Sequence, residues 1–305
     1  MITAEPSLRD RWGESLSAWL YQVGWSVTKA LPESVAYSTF RRIADELWRR
    51  DAGGAKQLAK NLRRVHPEMS DEELRILTRD GMRSYMRYWC EAFRLPAWSP
   101  ERIHGTFHME RKEIIAEGLA GDGMLLVPAH MGNWDHAGGG AAIEYGFVAS
   151  VAERLKPEKL FQAFLDYRES LGIHILGHGE PDVIRKLARL LTDRKLVALL
   201  GDRDISRHGV QVDFFGEKAS FPAGPAVLGL LTGVPVHPLT LWFDGPISRG
   251  YVHDQVVVPE HGDRDERIRN MTQQMAHCWE KGIRDHSQDW HMLQRVWVSD
   301  LKERS

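Results

Sequence analysis

The sequence predicts an α/β fold: a single domain with a central mixed sheet flanked by helices, and an N-terminal helical layer over residues 1–100. Three observations predict it. Short apolar runs alternate with helical segments from about residue 105 onward. The first hundred residues carry helical periodicity alone. Nothing in the 305 residues reads as a linker, an internal repeat or a low-complexity tract, so the domain is expected to span 1–305.

Trp12, Leu16, Trp19, Leu20, Val23 and Val27 recur at helical spacing, with Ala18, Tyr21 and Trp25 widening that face, and Pro32 closes the segment. Such a face suits either a bilayer interface or burial against the rest of the protein. A second helix is expected over about 33–50. Ser70, followed by Asp71, Glu72 and Glu73, reads as an N-cap with acids in the first turn, opening a helix that runs through Phe93 to the breakers Pro96 and Pro100.

Strands are expected at 124–130, 147–152, 174–176, 196–200, 234–243 and 252–258. Helices are expected between them at about 133–145, 157–171, 181–193 and 223–232, with a last one over 263–284. The stretch 209–216 (GVQVDFFG) reads as a hairpin or loop entering a helix through PAGPA (222–226), its aromatics placed to line a groove.

Composition narrows the function classes. Apolar residues make up 43% and charged residues 27%, which excludes disorder for most of the chain. Lys plus Arg (40) balances Asp plus Glu (42), which argues against nucleic acid as a partner. Residues 41–64 nevertheless hold eight Lys or Arg against three acids. That face suits an anionic membrane surface or a phosphorylated ligand, or is simply a solvated helix surface. Eleven Trp suit binding grooves and membrane interfaces as well as a large core.

Cys90 and Cys278 make no disulfide framework and read as small buried residues in a reducing compartment. The charged first fifteen residues leave no core for a secretory signal. The uncharged run 15–28 is too short to span a bilayer, and 219–243 is broken by Pro222, Pro225, Pro235 and Pro238. The protein is therefore expected to be soluble or peripheral, and intracellular.

Ligands of α/β sheets bind beyond the carboxyl ends of strands. After the 124–130 run come His130, Met131, Gly132, Asn133, Trp134 and Asp135. Gly132 allows a tight turn, Asn133 caps the next helix, and Asp135 falls in its first turn near His130. A neutral His takes a proton from a hydroxyl near pH 7 when a carboxylate holds its tautomer. After the 196–200 run comes Asp202, within reach of His130 if the two strands are neighbours. There is no G-x-S-x-G elbow, P-loop, G-x-G-x-x-G, H-E-x-x-H or paired Cys-x2-Cys, and no metal site is expected.

The segment from His130 to Asp135 resembles the His-x4-Asp motif of glycerolipid and lipid A acyltransferases. Similarity to the lipid A biosynthesis (lauroyl/myristoyl) acyltransferase family extends through YRESLG (167–172), DRD (202–204), GVQVDFFG (209–216) and PAGPA (222–226). Within that family the chain most resembles the phosphatidylinositol mannoside acyltransferases of actinobacteria, through AKNLRRV (59–65), RYWCEAFRLP (87–96), VAERLKPEKLF (151–161) and DWHMLQ (289–294).

The resemblance implies a glycerolipid acyltransferase-like fold and a peripheral enzyme on the cytoplasmic face of the plasma membrane. It implies transfer of a long acyl chain, typically palmitoyl, from acyl-CoA to a mannose 6-hydroxyl of a phosphatidylinositol mono- or dimannoside. Acyl-CoA is a co-substrate and no cofactor is implied. His130 is implied as general base and Asp202 as its charge-relay partner, where relatives carry Glu in an ERD setting. Asp keeps the charge but is one methylene shorter, so the His130 contact must be re-spaced or weaker. Asp135 then supports the turn or the imidazole, and Arg168 and His208 contact the donor. Arg154, Lys156, Arg203 and Arg207 are candidates for CoA phosphates by charge alone. Transfer to another glycolipid, thioesterase-type hydrolysis of acyl-CoA and a non-catalytic lipid-binding role are the alternatives.

Overall fold

The computed structural model describes residues 24–154, 158–205 and 209–302. Among the described residues the N-terminal layer holds the helical end 24–30, then α1 (Glu33–Arg49), α2 (Gly53–Val65) and α3 (Asp71–Arg94). Ser70 caps α3 through a reciprocal box, its hydroxyl accepting the Glu73 N–H while the Glu73 carboxylate accepts the Ser70 N–H. The basic stretch holds two helices, α1 and α2, rather than one, broken at Asp51 (φ 50°). Among the described residues five of its eight cations are paired with acids: Arg49 and Arg50 with Glu46, Arg63 with Asp71, and Lys60 and Arg64 with Asp300. The face is therefore less positive than its composition suggests.

Helix α4 (Pro100–Gly105) leads into β1 (Phe107–Glu110), α5 (Glu113–Ala120), β2 (Met124–Pro128) and α6 (Trp134–Tyr145). Next come β3 (Val148–Ala152), α7 (Glu158–Ser170), β4 (Ile173–Gly177), α8 (Val183–Thr192) and β5 (Leu196–Ala198). The hairpin β6 (Val210–Phe214) and β7 (Glu217–Phe221) follows, then α9 (Gly224–Thr232), β8 (Val236–Asp244), β9 (Ile247–Val252), α10 (Arg264–Asp285) and α11 (Val298–Lys302).

The central sheet has seven strands in the order β1-β9-β8-β2-β5-β3-β4. Strands β8, β2, β5, β3 and β4 are parallel, β9 is antiparallel to β8, and β1 is parallel to β9. The sheet is mixed, as the sequence predicts. The strand expected at 252–258 is displaced. The turn at Gly245 and Pro246 returns the chain beside β8 at once, so pairing runs from Ile247 to Val252, and Val257 beyond it is exposed. Strand β1 carries no apolar run and half-buries only alternate residues, which hides it in the sequence.

One buried cluster runs from Val65 to Trp297, and a smaller one (Ala44, Ala55, Leu58, Leu62, Met82) holds the N-terminal helices together. Most of the aromatic helix expected at 12–27 lies outside the described residues. At its described end Trp25 packs inward, 5.1 Å from Tyr167 and 5.5 Å from Phe93 between ring centroids. No described helix is long and apolar enough to cross a membrane.

Two of the hairpin aromatics, Phe214 and Phe221, belong to the core rather than to a groove. Phe214 and Phe221 point inward with Val212, by the period-2 alternation of a strand, and are fully buried. Phe214 stacks on Trp297 at 5.7 Å, and Phe221 meets Trp279 edge-on at 5.6 Å. The two-residue turn Phe215-Gly216 has φ of 49° and 79°, the positive pair that a tight hairpin requires.

Candidate active site

Strands β2 and β5 are neighbours, paired from Met124↔Leu196 to Leu126↔Ala198. The chain segments leaving their carboxyl ends are His130 and Asp202. His130 Nδ1 lies 2.6 Å from Asp202 Oδ1, and the His130 backbone N–H reaches both carboxylate oxygens at 3.0 Å. The shorter Asp side chain thus closes the contact directly. Gly201 makes this approach possible: a Cβ there would fall 2.5 Å from Val127 Cγ1 and 2.7 Å from Trp279. Gly132 sits at φ 53°, where a Cβ would meet the Leu241–Trp242 peptide at 2.9 Å, so the turn carrying His130 needs glycine.

Asp202 is fully buried, which by itself raises a carboxyl pKa. The opposing positive charge of His130, with hydrogen bonds from His130 and from Trp290 Nε1–H at 2.9 Å, outweighs burial and holds it below the ordinary value. An ionised carboxylate only accepts, so the Nδ1 that faces Asp202 carries a proton, and Nε2 is the ring nitrogen turned away from the carboxylate. The His130 side chain is 17% exposed, open enough to meet a substrate.

Asn133 caps α6, its Oδ1 accepting the His136 N–H at 2.9 Å, while its Nδ2 donates to buried Glu91 at 2.8 Å. Arg87 and Tyr37 hold the other oxygen of Glu91. The start of α6 is thereby tied to the N-terminal layer.

A cavity of about 260 Å³ lies between α6 and the sheet. Its floor is apolar (Phe107, Met109, Leu126, Pro128, Leu196, Ala198, Leu239, Leu241), and Trp134, Ala137, Gly140 and Ala141 of α6 form its roof. Trp134 stands at one end, its ring centroid 5.5 Å from that of His130. Lys112 and Glu144, paired at 2.9 Å, line the other. At about 1.5 Å per helical residue, the roof from Trp134 to Tyr145 is about 16 Å long.

The family model for bacterial lipid A biosynthesis acyltransferases matches residues 9–299. The chain belongs to this family. It is 40% identical over 286 residues to a phosphatidylinositol mannoside acyltransferase of Mycolicibacterium smegmatis, covering 93% of this chain and 92% of that one. It is 38% identical over 298 residues to the protein of the same name from Mycobacterium tuberculosis H37Rv, covering 93% and 90%. The chain is thus an acyltransferase of the lipid A acyltransferase family, as its motifs imply.

Within this acyltransferase, the His-x4-Asp residues part company. Asp135 does not partner the imidazole. Its Oδ1 accepts from Arg168 Nε at 2.7 Å and its Oδ2 from Tyr88 at 2.9 Å. Helical geometry explains the difference: as the second residue of α6, Asp135 points toward α3 and α7, while His130 faces β5. Arg168 is engaged in that ion pair, where the Asp135 charge outweighs burial and raises its pKa. Both residues therefore brace the turn.

His208, Lys156 and Arg207 lie outside the described residues. Arg203 and Arg154 are paired with Glu153 and Glu158. Among the described residues no cluster of three His, Cys, Asp or Glu could hold a metal.

The sequence reading missed Trp290, Glu91 and the chain from Asp289 through Ser84 to His291. Ser84 Oγ donates to Asp289 Oδ1 at 2.6 Å and meets His291 Nε2 at 2.9 Å. Burial pushes Asp289 up to about 6 and His291 down to about 3. DWHMLQ and RYWCEAFRLP contain most of these residues, and no spacing rule in either motif names a role.

Proposed function

We propose that this acyltransferase moves a long acyl chain, palmitoyl by preference, from acyl-CoA to a mannose 6-hydroxyl of phosphatidylinositol mono- or dimannoside. The observation that carries the reading is His130 Nδ1 held at 2.6 Å by buried Asp202, with Nε2 left as base. The names of the mycobacterial relatives support the acceptor. The apolar cavity beside Trp134 supports a long acyl donor.

In this mechanism Nε2 of His130 takes the proton from the mannose hydroxyl as its oxygen attacks the thioester carbon. The carbonyl π bond opens to an oxyanion, for which we assign the free N–H groups at the start of α6. The oxyanion collapses, the C–S bond breaks, and the imidazolium proton passes to the CoA sulfur. Asp202 stabilises the imidazolium throughout. No acyl-enzyme forms and no cofactor is required. The enzyme works as a peripheral protein on the cytoplasmic face of the plasma membrane, where its lipid acceptor presents its headgroup.

The test is transfer from palmitoyl-CoA to phosphatidylinositol dimannoside, with and without acceptor, for the wild type and His130→Ala. Acylated lipid formed only with acceptor and only with His130 is the expected result. CoA release without acylated lipid would replace this reading by hydrolysis or by a different acceptor.

A further inference from the structure

The segment Asp289–His291 lies across the turn that carries His130. Met131 and Trp290 form an antiparallel bridge. The Gly132 N–H donates to Asp289 O at 2.9 Å, and the His291 N–H donates to His130 O at 2.8 Å. Three consecutive residues thus hold the main chain of 130–132 along its length. The middle one also reaches inward, its Nε1–H 2.9 Å from Asp202 Oδ2. Trp290 is wholly buried, its ring 6.0 Å from both Phe214 and Trp297, so the direction of that N–H is fixed by packing.

Asp202 therefore receives hydrogen bonds on two sides. His130 supplies Nδ1 and its backbone N–H, and the indole supplies the other. We propose that Trp290 is a positioning residue of the acyltransferase. Its indole N–H fixes the rotamer of Asp202 and draws off part of the carboxylate's basicity, so that His130 is oriented without being locked as imidazolium. The role rests on His130 being the base, and it is exerted through Asp202, with no contact to substrate.

Among the described residues the charged and titratable groups around His130 are few. Asp202 faces Nδ1. Neutral His291 and buried Asp289 stand on the 289–291 segment, the Asp135–Arg168 pair and Tyr88 stand behind the turn, and among the described residues no other group donates to Asp202. Trp290→Phe deletes the N–H and keeps an aromatic ring. Asp202 then becomes more basic and the imidazolium gains stability. The acid limb of kcat/KM should move up by about half to one pH unit. The kcat should fall about tenfold, the rate equivalent of one charge-assisted hydrogen bond, with KM for both substrates nearly unchanged.

The same upward shift should appear in an NMR titration of the His130 imidazole without substrate, which remains readable whatever the reaction proves to be. Phe214→Leu, which loosens the same wall and spares the N–H, should lower stability and leave both titrations in place. If Trp290→Phe does not fold, Asp202→Asn provides the second measurement: one indole N–H resonance should move relative to wild type. Unshifted titrations in folded Trp290→Phe, or indole resonances unmoved in Asp202→Asn, would overturn the proposal.

Discussion

One short contact decides the geometry at the heart of the site. Asp202 lies 2.6 Å from His130 Nδ1 because β5 pairs directly with β2 and Gly201, without a Cβ, leaves room for Val127 and Trp279. Asp202→Asn keeps the shape but permits the wrong imidazole tautomer, so kcat should fall by about 10³–10⁴, measured as acyl transfer with folding checked by circular dichroism.

Buried titratable groups, one beside the site and others in the sheet, shape the response to acid. Burial lowers His291 to about 3 and His253 to about 4, so each stays neutral in the fold but protonates readily in the unfolded chain. Their stability is fully present above pH 6.5 and is lost as pH falls toward those values. Asp289, raised to about 6, acts oppositely: it favours the fold below about pH 4, a contribution lost as pH rises through 6. Two histidines outweigh one carboxyl, so stability should decline from about pH 6.5 downward. His291→Phe should flatten that slope by about 1 kcal/mol per pH unit, read from urea unfolding at stepped pH.

Among the elements, α6 does most to build the site. Its cap, Asn133, is bonded at once to the His136 N–H and to Glu91. Asn133→Ala should cost about 1–2 kcal/mol of stability and reduce kcat as well, because the N–H groups beside His130 lose their anchor. Equilibrium unfolding and initial rates check the two effects separately. The roof of α6 and the floor of β5 also bound the apolar cavity. Ala198→Leu places about three extra carbons in that floor. With the acyl chain assigned to this cavity, the variant should shift donor preference from palmitoyl-CoA toward lauroyl-CoA, measured by competition between the two.

At the scale of the molecule, distant parts of the chain meet through one buried carboxylate. Arg64 of α2 holds Asp300 of α11 through both terminal nitrogens at 2.9 Å, touches Glu217 of the hairpin, and lies over the Trp297 ring at 4.6 Å. Lys60 shares Asp300 at 2.6 Å. Arg64→Ala leaves Lys60 in place, so the loss should be about 2–3 kcal/mol rather than that of a bare buried charge. Urea unfolding followed by Trp fluorescence measures it.

The sequence by itself determined the class of fold, most of the strands and helices, and His130 with two carboxylates, Asp135 and Asp202, as candidates for its partner. Those features rest on local signals: an apolar run such as 124–130, a cap such as Ser70 or Asn133, a glycine at a strand end. It also carried the family, through motifs spread along the chain. Only the tertiary structure decided which of the two carboxylates lies against the His130 imidazole. Asp135, five residues away, turns with the helix toward Arg168, whereas Asp202, 72 residues on, lies on the neighbouring strand. Trp290 and Glu91 were illegible for the same reason. Each acts by a hydrogen bond across the fold, to Asp202 and to Asn133, and strand order and helix packing, which no local periodicity encodes, determine where such bonds fall.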